Sequence, residues 1–290
     1  MSARCASFAS SLLIALGLVV PGLSSAAPVL HGDRANRDES RLPEEIRVPL
    51  DYPTIQAAID AAGANDKILI APGEYDESLQ FVLKRDVTLV GAGAKQTIVR
   101  SSDTVLTLRQ TSGLSIEGIR FETSAEVAVE SRQSGVSFSQ NVLVATAPNA
   151  RMDFYCIRPS EFTRNTFVRP ENGAGEFLRV NPDFCSGTGV ITVRRNLFWT
   201  WGKPVADTSG RVQIEENNLG ITNAADYPAD NLFAFPLFCD PSRGDYTLSA
   251  GSPCLPENNP WGRTLGALSQ ACGPVGVDDT SWGQIKSSYR

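Results

Sequence analysis

Histidine is nearly absent from this chain. The single histidine, His31, lies in a polar N-terminal stretch, and the rest of the sequence has none. A fold without histidine excludes histidine general bases, Ser-His-Asp triads and histidine-ligated zinc. Strongly basic segments are also missing, and the formal net charge is -6. The sequence therefore predicts no nucleic-acid partner.

Long apolar runs are equally scarce. The one candidate is "SLLIALGLVV" (11–20), which follows Arg4 and precedes the small residues of "GLSSAAP" (22–28). This layout predicts a secretory signal peptide over residues 1–26, and the run is too short to span a bilayer comfortably. No second candidate follows, so no transmembrane segment is expected in the mature chain. The predicted location is secreted: extracellular, periplasmic or at the cell surface.

The cysteine count after cleavage is odd. Export permits disulfides, and an odd count leaves at least one thiol unpaired or intermolecular. We expect the pairs Cys156–Cys185 and Cys239–Cys254, although sequence cannot fix the connectivity. Cys272 is the fifth cysteine. The polar residues 27–47 predict a flexible linker.

A short pattern recurs in the middle of the chain. An apolar residue is followed by an asparagine three places on and by another apolar residue two places later, in "FSQNVL" (138–143), "FTRNTF" (162–167), "VRRNLF" (193–198) and "IEENNL" (214–219). The asparagines are Asn141, Asn165, Asn196 and Asn217. An earlier copy, "IEGIRF" (116–121), has Ile119 at this position. Repeats of this length are typical of a solenoid.

The segments before the asparagines alternate with period two, as in "VSFSQ" and "ITVRR". Such alternation indicates strands rather than helical repeats. Stacked strands would bring equivalent side chains one above another, about 4.8 Å apart. An inward asparagine has donors and acceptors enough to bond to the next asparagine in a column. The sequence therefore predicts an all-β solenoid with an internal asparagine ladder.

These repeats, over roughly 105–220, resemble the right-handed parallel β-helix superfamily that includes pectin lyases, pectate lyases and pectin methylesterases. The stretch "YPTIQAAIDAAGANDKILIAPGEYDESL" (52–79) resembles the opening coil of pectin methylesterase-like helices. Its apolar residues Ile55, Ala58, Ile59 and Ala62 predict a short capping helix over 54–62 that Gly63 ends. "GDYTLSAGSPC" (244–254) resembles a closing coil. We expect the β-helix domain over 48–272 and an appended tail over 273–290.

Catalytic motifs of the superfamily do not transfer to this chain. The resemblance implies groove-facing strands at 127–130, 154–157, 177–180 and 204–207. Asp153 and Asp183 lie in consecutive turns of the predicted solenoid, with Arg158 and Arg179 nearby. These two carboxylates could act as acid and base or hold a Ca²⁺, but a solvated loop pair beside a disulfide is the favoured explanation. No other cofactor or metal is expected.

Two tryptophans form a second candidate site. In "NLFWTWG", alternation places Phe198 inward and both Trp199 and Trp201 outward. Exposed indoles would form a platform for sugar rings, whereas the C-terminal tail with Trp282 would cover them permanently. We expect a secreted protein that binds extracellular polysaccharide without evident catalysis. The alternatives are a polysaccharide lyase or glycoside hydrolase acting on an acidic polysaccharide, and a structural or adhesive surface protein.

Overall fold

Short strands with alternating burial wind into a parallel β-solenoid of three sheets. The computed structural model describes residues 42–155, 158–169, 175–181, 189–207, 209–220 and 222–274. The predicted signal peptide, the expected Cys156–Cys185 pair and most of the 273–290 tail lie outside the described residues. Strand β1 begins at Glu45, so the solenoid starts before the predicted boundary at residue 48 and includes the end of the predicted linker.

The chain visits sheets A, B and C in turn, and every pairing within them is parallel. Sheet A contains β1 (Glu45–Val48), β2 (Lys67–Ile70), β5 (Thr88–Gly91), β8 (Leu114–Glu117), β11 (Val136–Ser139), β14 (Ser160–Thr163), β17 (Ile191–Arg194) and β20 (Val212–Glu215). Sheet B contains β3 (Gly73–Asp76), β6 (Thr97–Ser101), β9 (Arg120–Thr123), β12 (Val142–Ala145), β15 (Thr166–Val168) and β18 (Leu197–Trp199). Sheet C contains β4 (Leu79–Val82), β7 (Leu106–Arg109), β10 (Val127–Arg132), β13 (Arg151–Tyr155), β16 (Leu178–Asn181) and β19 (Val205–Asp207).

This topology confirms the predicted all-β parallel solenoid, and the strands expected to face a groove fall in sheet C. Inward side chains stack from one turn to the next. The ring centroids of Phe121 and Phe138 lie 5.8 Å apart, and those of Phe138 and Phe162 lie 5.9 Å apart. Burying one such ring contributes about 1.5–3 kcal/mol, so these columns hold successive turns together.

The predicted asparagine ladder lies at the corner between sheets A and B, and its members are fully buried. The backbone N–H of Asn141 donates to Oδ1 of Asn165 over 3.0 Å. Asn165 donates likewise to Asn196, and Asn196 to Asn217, each over 2.8 Å. These bonds confirm that the four side chains share one column. A fifth member, Asn231, accepts from the N–H of Asn217 over 3.0 Å.

The residue before each of the four predicted asparagines has a left-handed backbone. These residues and their φ angles are Gln140 (54°), Arg164 (57°), Arg195 (56°) and Glu216 (54°). Gly118, with φ 69°, holds the same position before Ile119, whose N–H donates to Oδ1 of Asn141. A left-handed non-glycine residue costs about 1 kcal/mol or more. The ladder hydrogen bonds offset this cost and fix the sharp corner.

A helix of about two turns precedes β2. Helix α1 (Ile55–Ala61) buries Ile55, Ala58 and Ile59 in the core of the solenoid. Thr54 Oγ1 accepts from the N–H of Ala57, and the carboxylate of Glu77 accepts from the N–H groups of Ile55 and Gln56. The helix ends at Ala62 in an extended conformation rather than at Gly63. Whether α1 acts as a cap stays a prediction.

In the C-terminal segment, residues 222–274, the chain passes once more over the last turn at 230–232 and then leaves the coil. The expected closing coil, 244–254, does not extend the solenoid, because its strand pairs with an antiparallel neighbour in a separate sheet. The segment contains η1 (Ala224–Asp226), η2 (Pro241–Arg243), η3 (Pro256–Asn258) and a small sheet of β21 (Phe238–Asp240), β22 (Asp245–Ser249) and β23 (Gln270–Cys272). Phe238, Leu248 and Leu255 pack on outward residues of sheet B and form a second core there. Tyr227 and Phe233 instead pack against the solenoid core.

The described cysteines pair differently from the expectation. Cys239 bonds to Cys272, not to Cys254. Cys254 is a buried free thiol that accepts a hydrogen bond from Asn218, and burial raises its pKa to about 11. The expected pair was the closer one in sequence, but the fold brings β23 beside β22 and thereby Cys272 towards Cys239.

Candidate functional site

The outward face of sheet C carries two parallel columns of polar side chains. Strand register places Glu130 beside Asp153, and Asp153 beside Arg179. The neighbouring column runs through Arg109, Arg132, Tyr155 and Asn181. Because the sheet is parallel, neighbours in a column are about 4.8 Å apart. Sheet C thus presents an ordered, strongly charged strip along the solenoid.

Asp153 is the most buried charged group on this face, with a side chain that is 3% exposed. Its two oxygens accept from different arginines, Oδ2 from Arg151 Nε over 3.0 Å and Oδ1 from Arg179 Nε over 2.7 Å. The same hydrogen bond raises the pKa of Arg179 above its ordinary value. A buried carboxylate needs such partners, because an unpaired one would carry a large desolvation penalty. Both oxygens of Asp153 are therefore bound by guanidinium donors.

Glu130 forms a second arrangement of one carboxylate between two arginines. It accepts from Arg132 over 2.7 Å and from Arg109 over 3.4 Å. The guanidinium of Arg132 also lies over the ring of Tyr155, 5.0 Å from its centroid. The side chains of Arg109 and Arg132 remain 56% and 58% exposed. Both guanidinium groups therefore keep N–H donors directed to solvent, one turn of the solenoid apart.

The other two residues of the predicted acid–base group are not brought to Asp153 by any contact that the structure describes. Arg158 lies in the corner between β13 and β14, where its side chain is exposed and its carbonyl accepts from Ser160 Oγ. Within the described ranges, no hydrogen bond or ion pair joins Arg158 to Asp153. Asp183 lies outside the described residues. The catalytic role of these four residues stays a prediction.

The tryptophans follow the predicted alternation. Phe198 is fully buried in the solenoid core, whereas Trp199 and Trp201 point outward and are half-buried. Trp199 belongs to the second core: its ring centroid lies 5.4 Å from that of Phe235 and 6.0 Å from that of Phe238. Trp201 lies in the corner between β18 and β19, at the edge of sheet C. The suggested cover, Trp282, lies outside the described residues.

Arg169 is a fully buried arginine beside sheet C that the sequence analysis did not single out. Its guanidinium donates to the carbonyls of Ala150, Gly175 and Trp201, and lies 5.8 Å from the centroid of Phe177. Burial lowers its pKa. It thereby connects three consecutive corners between sheets B and C. The sequence does not predict these contacts, because Arg169 only follows the apolar strand "TFV" and matches no motif.

The part of the chain that the structure describes offers neither a cluster of metal ligands nor a membrane-spanning helix. In the described ranges, no three side chains of histidine, cysteine, aspartate or glutamate are grouped so that they could hold a metal ion. None of the helices in the part of the chain that the structure describes has the length and apolar character of a transmembrane span.

Fold and site together define a parallel β-solenoid protein with a charged, arginine-rich strip on one sheet. No family model, curated protein or solved structure matches the chain. The solenoid class therefore rests on the strand topology, and the likeness to the pectin lyase-like superfamily stays a resemblance of sequence motifs.

Proposed function

We propose that this protein binds an extended acidic polysaccharide along the outward face of sheet C. The observation that carries the proposal is the pair of exposed guanidinium groups of Arg109 and Arg132, which lie in one column, one turn of the solenoid apart. The spacing of about 4.8 Å is comparable with the length of one pyranose unit. A polymer with a carboxylate on successive units would meet one guanidinium per turn.

The charge of this face supports an anionic ligand. Four arginines, Arg109, Arg132, Arg151 and Arg179, accompany three carboxylates, Glu126, Glu130 and Asp153, whereas the whole chain has a net charge of -6. Arginine binds carboxylates with two parallel hydrogen bonds, and its planar group also stacks on rings. Tyr155 would add a ring contact within the strip, and Trp201, whose ring centroid lies 6.3 Å from that of Trp199, would add one in the corner before β19. Binding would occur outside the cell, where the predicted signal peptide would deliver the protein.

Catalysis is the second candidate, and Asp153 with Arg179 is the pair that favours it. A general acid or base must be free to exchange a proton with the substrate. Both oxygens of Asp153 instead accept from arginines, so the described geometry supports holding charge more than transferring protons. Asp183 or a bound Ca²⁺ would be needed to complete a lyase or hydrolase site.

The experiment is affinity electrophoresis of the secreted protein through gels that contain a polyuronate or a neutral glucan. We expect retardation by the polyuronate that weakens as salt rises, since exposed charges are screened within about 10 Å at 0.1 M. The double variant Arg109→Ala/Arg132→Ala should bind at least about tenfold more weakly, from roughly 1 kcal/mol per exposed charge contact. Arg243→Ala, which removes an 86% exposed arginine in η2, is the matched control.

Three outcomes separate the alternatives. Equal retardation of the double variant and the control would contradict binding on sheet C. New unsaturated or reducing ends in the polymer would indicate a lyase or hydrolase. Neither retention nor products across a wider panel of polysaccharides would favour the structural or adhesive interpretation.

A further inference from the structure

A polar cavity lies away from the arginine strip, at the corner between sheets B and C. It has a volume of about 500 Å³ and is bordered by the first corners of the solenoid, where the chain passes from β3 to β4, from β6 to β7 and from β9 to β10. These corners are only two to four residues long, whereas the later ones are longer. The short corners leave this part of the groove open.

Strand register arranges three charged side chains along one wall. Asp76 lies beside Arg100, and Arg100 lies beside Glu122, on the outer face of sheet B. Arg100 donates to Glu122 over 2.7 Å and also to Glu74. Asp76 is exposed, and no hydrogen bond or ion pair to it is found among the described residues. Along this wall a hydrogen-bond acceptor, a donor and a second acceptor therefore follow one another on three consecutive turns of the solenoid.

Hydroxyl groups form the rest of the lining. Ser78 Oγ and Ser101 Oγ lie 2.7 Å apart, and the Ser101 oxygen also accepts from the N–H of Asp103 over 2.9 Å. Thr123 Oγ1 donates to the carbonyl of Asp103 over 2.7 Å. These bonds fix the positions of the hydroxyls before any ligand arrives. All the residues that line the cavity are serine, threonine or charged, so a ligand with hydrogen-bonding groups would find partners there.

The charged side chains that line the cavity further restrict the kind of ligand it can bind. Two carboxylates, Asp76 and Glu122, accompany one guanidinium, and this excess of negative charge disfavours an anion. The carboxylate of the third acidic lining residue, Glu77, is bound by the N–H groups of Ile55 and Gln56. A metal ion is disfavoured because Arg100 stands between Asp76 and Glu122. Vicinal hydroxyls of a sugar each offer a donor and an acceptor, and fixed carboxylate, guanidinium and hydroxyl groups match that combination. We propose that this cavity is a binding site for one or two units of a neutral sugar, separate from the strip on sheet C.

The test is saturation-transfer NMR with neutral trisaccharides of glucose and of mannose as probes, on the intact protein. Without an aromatic ring in the lining, we expect weak binding, with Kd on the order of 1 mM. Asp76→Ala should weaken binding about tenfold, the loss of a hydrogen bond to a charged group. Glu257→Ala, which removes another exposed carboxylate, should leave it unchanged.

The outcome is independent of the proposed function. Arg109→Ala/Arg132→Ala should leave trisaccharide binding unchanged while it weakens retardation by the polyuronate. Asp76→Ala should weaken trisaccharide binding and leave the retardation unchanged. Absence of signals from every neutral probe at tens of millimolar, roughly tenfold above the expected Kd, would overturn the cavity proposal. So would equal binding by Asp76→Ala and Glu257→Ala.

Discussion

Replacement of Asn196 by alanine should destabilise the protein strongly, because this side chain lies in the middle of the ladder. Its Oδ1 accepts from the N–H and the amide of Asn165 over 2.8 and 3.0 Å. Its amide donates to the carbonyl of Phe162 over 2.8 Å and to Oδ1 of Asn217 over 3.1 Å. All of these contacts are buried, so water cannot replace the missing groups.

The magnitude follows from the groups left without this partner. Asn196→Ala deprives the N–H of Asn165 and the carbonyl of Phe162 of a buried hydrogen bond. Each such loss costs about 1–3 kcal/mol, so we expect a decrease of about 2–6 kcal/mol in the free energy of unfolding. Asn181→Ala is the control, since within the described residues the amide nitrogen of Asn181 has no hydrogen-bond partner. It should change stability by less than about 1 kcal/mol.

Urea denaturation followed by circular dichroism measures both values, and a loss for Asn196→Ala no larger than for Asn181→Ala would refute the reasoning. Asn196→Asp adds a pH signature. One carboxylate oxygen would keep the donors of Asn165, but the other would face three acceptors, including the carbonyl of Arg194. Burial and these acceptors should raise the folded-state pKa above about 3.9. The folded state then binds more protons, so the deficit relative to the parent grows as pH rises from about 4 and shrinks on acidification.

Three further predictions concern other parts of the chain. Ile59→Asp should cost about 4 kcal/mol by burying a charge against the first turns, and an unchanged melting temperature would rule out a capping role for α1. Trp201→Ala should weaken polysaccharide retention by about 1 kcal/mol with an unchanged circular dichroism spectrum, and equal retention would remove Trp201 from the site. The thiol of Cys254, buried and with its pKa raised to about 11, should resist an aromatic disulfide reagent at pH 8 until urea unfolds the chain. Peptide mapping that finds Cys254 labelled in the folded protein would contradict this.

The solenoid could be predicted from sequence because each turn repeats the same local signal. Alternation sets the strands, and the asparagine with its apolar neighbours sets the corner between sheets A and B. The fifth rung escaped detection because Asn231 lacks the apolar residue three places before it, where Pro228 stands. Its place in the column depends on the chain returning over the last turn, which no local pattern encodes.

The sequence of sheet B contains a sign that the C-terminal segment packs on it. The search for alternating residues recognised only the strands and missed this sign. Strands β12 and β15 are apolar on both faces, as Val142, Val144 and Val168 show, whereas earlier strands of sheet B carry charges outward. A strand that is apolar on both faces must be covered on both. The sequence predicts Arg179 near Asp153, and the strand register brings the two side chains together. It does not single out Arg151, which is the second donor to this carboxylate.

One kind of corner in the solenoid keeps a constant length, whereas the other two kinds vary in length. From β8 onward, the corner between sheets A and B always has two residues, such as Gln140 with Asn141. The corners on either side of sheet C vary from two residues to nine. Insertions and deletions can therefore accumulate beside sheet C without moving any rung of the ladder. Lineages of such a chain are free to diversify the walls of one groove, and a protein engineer could graft recognition loops there onto an unaltered frame.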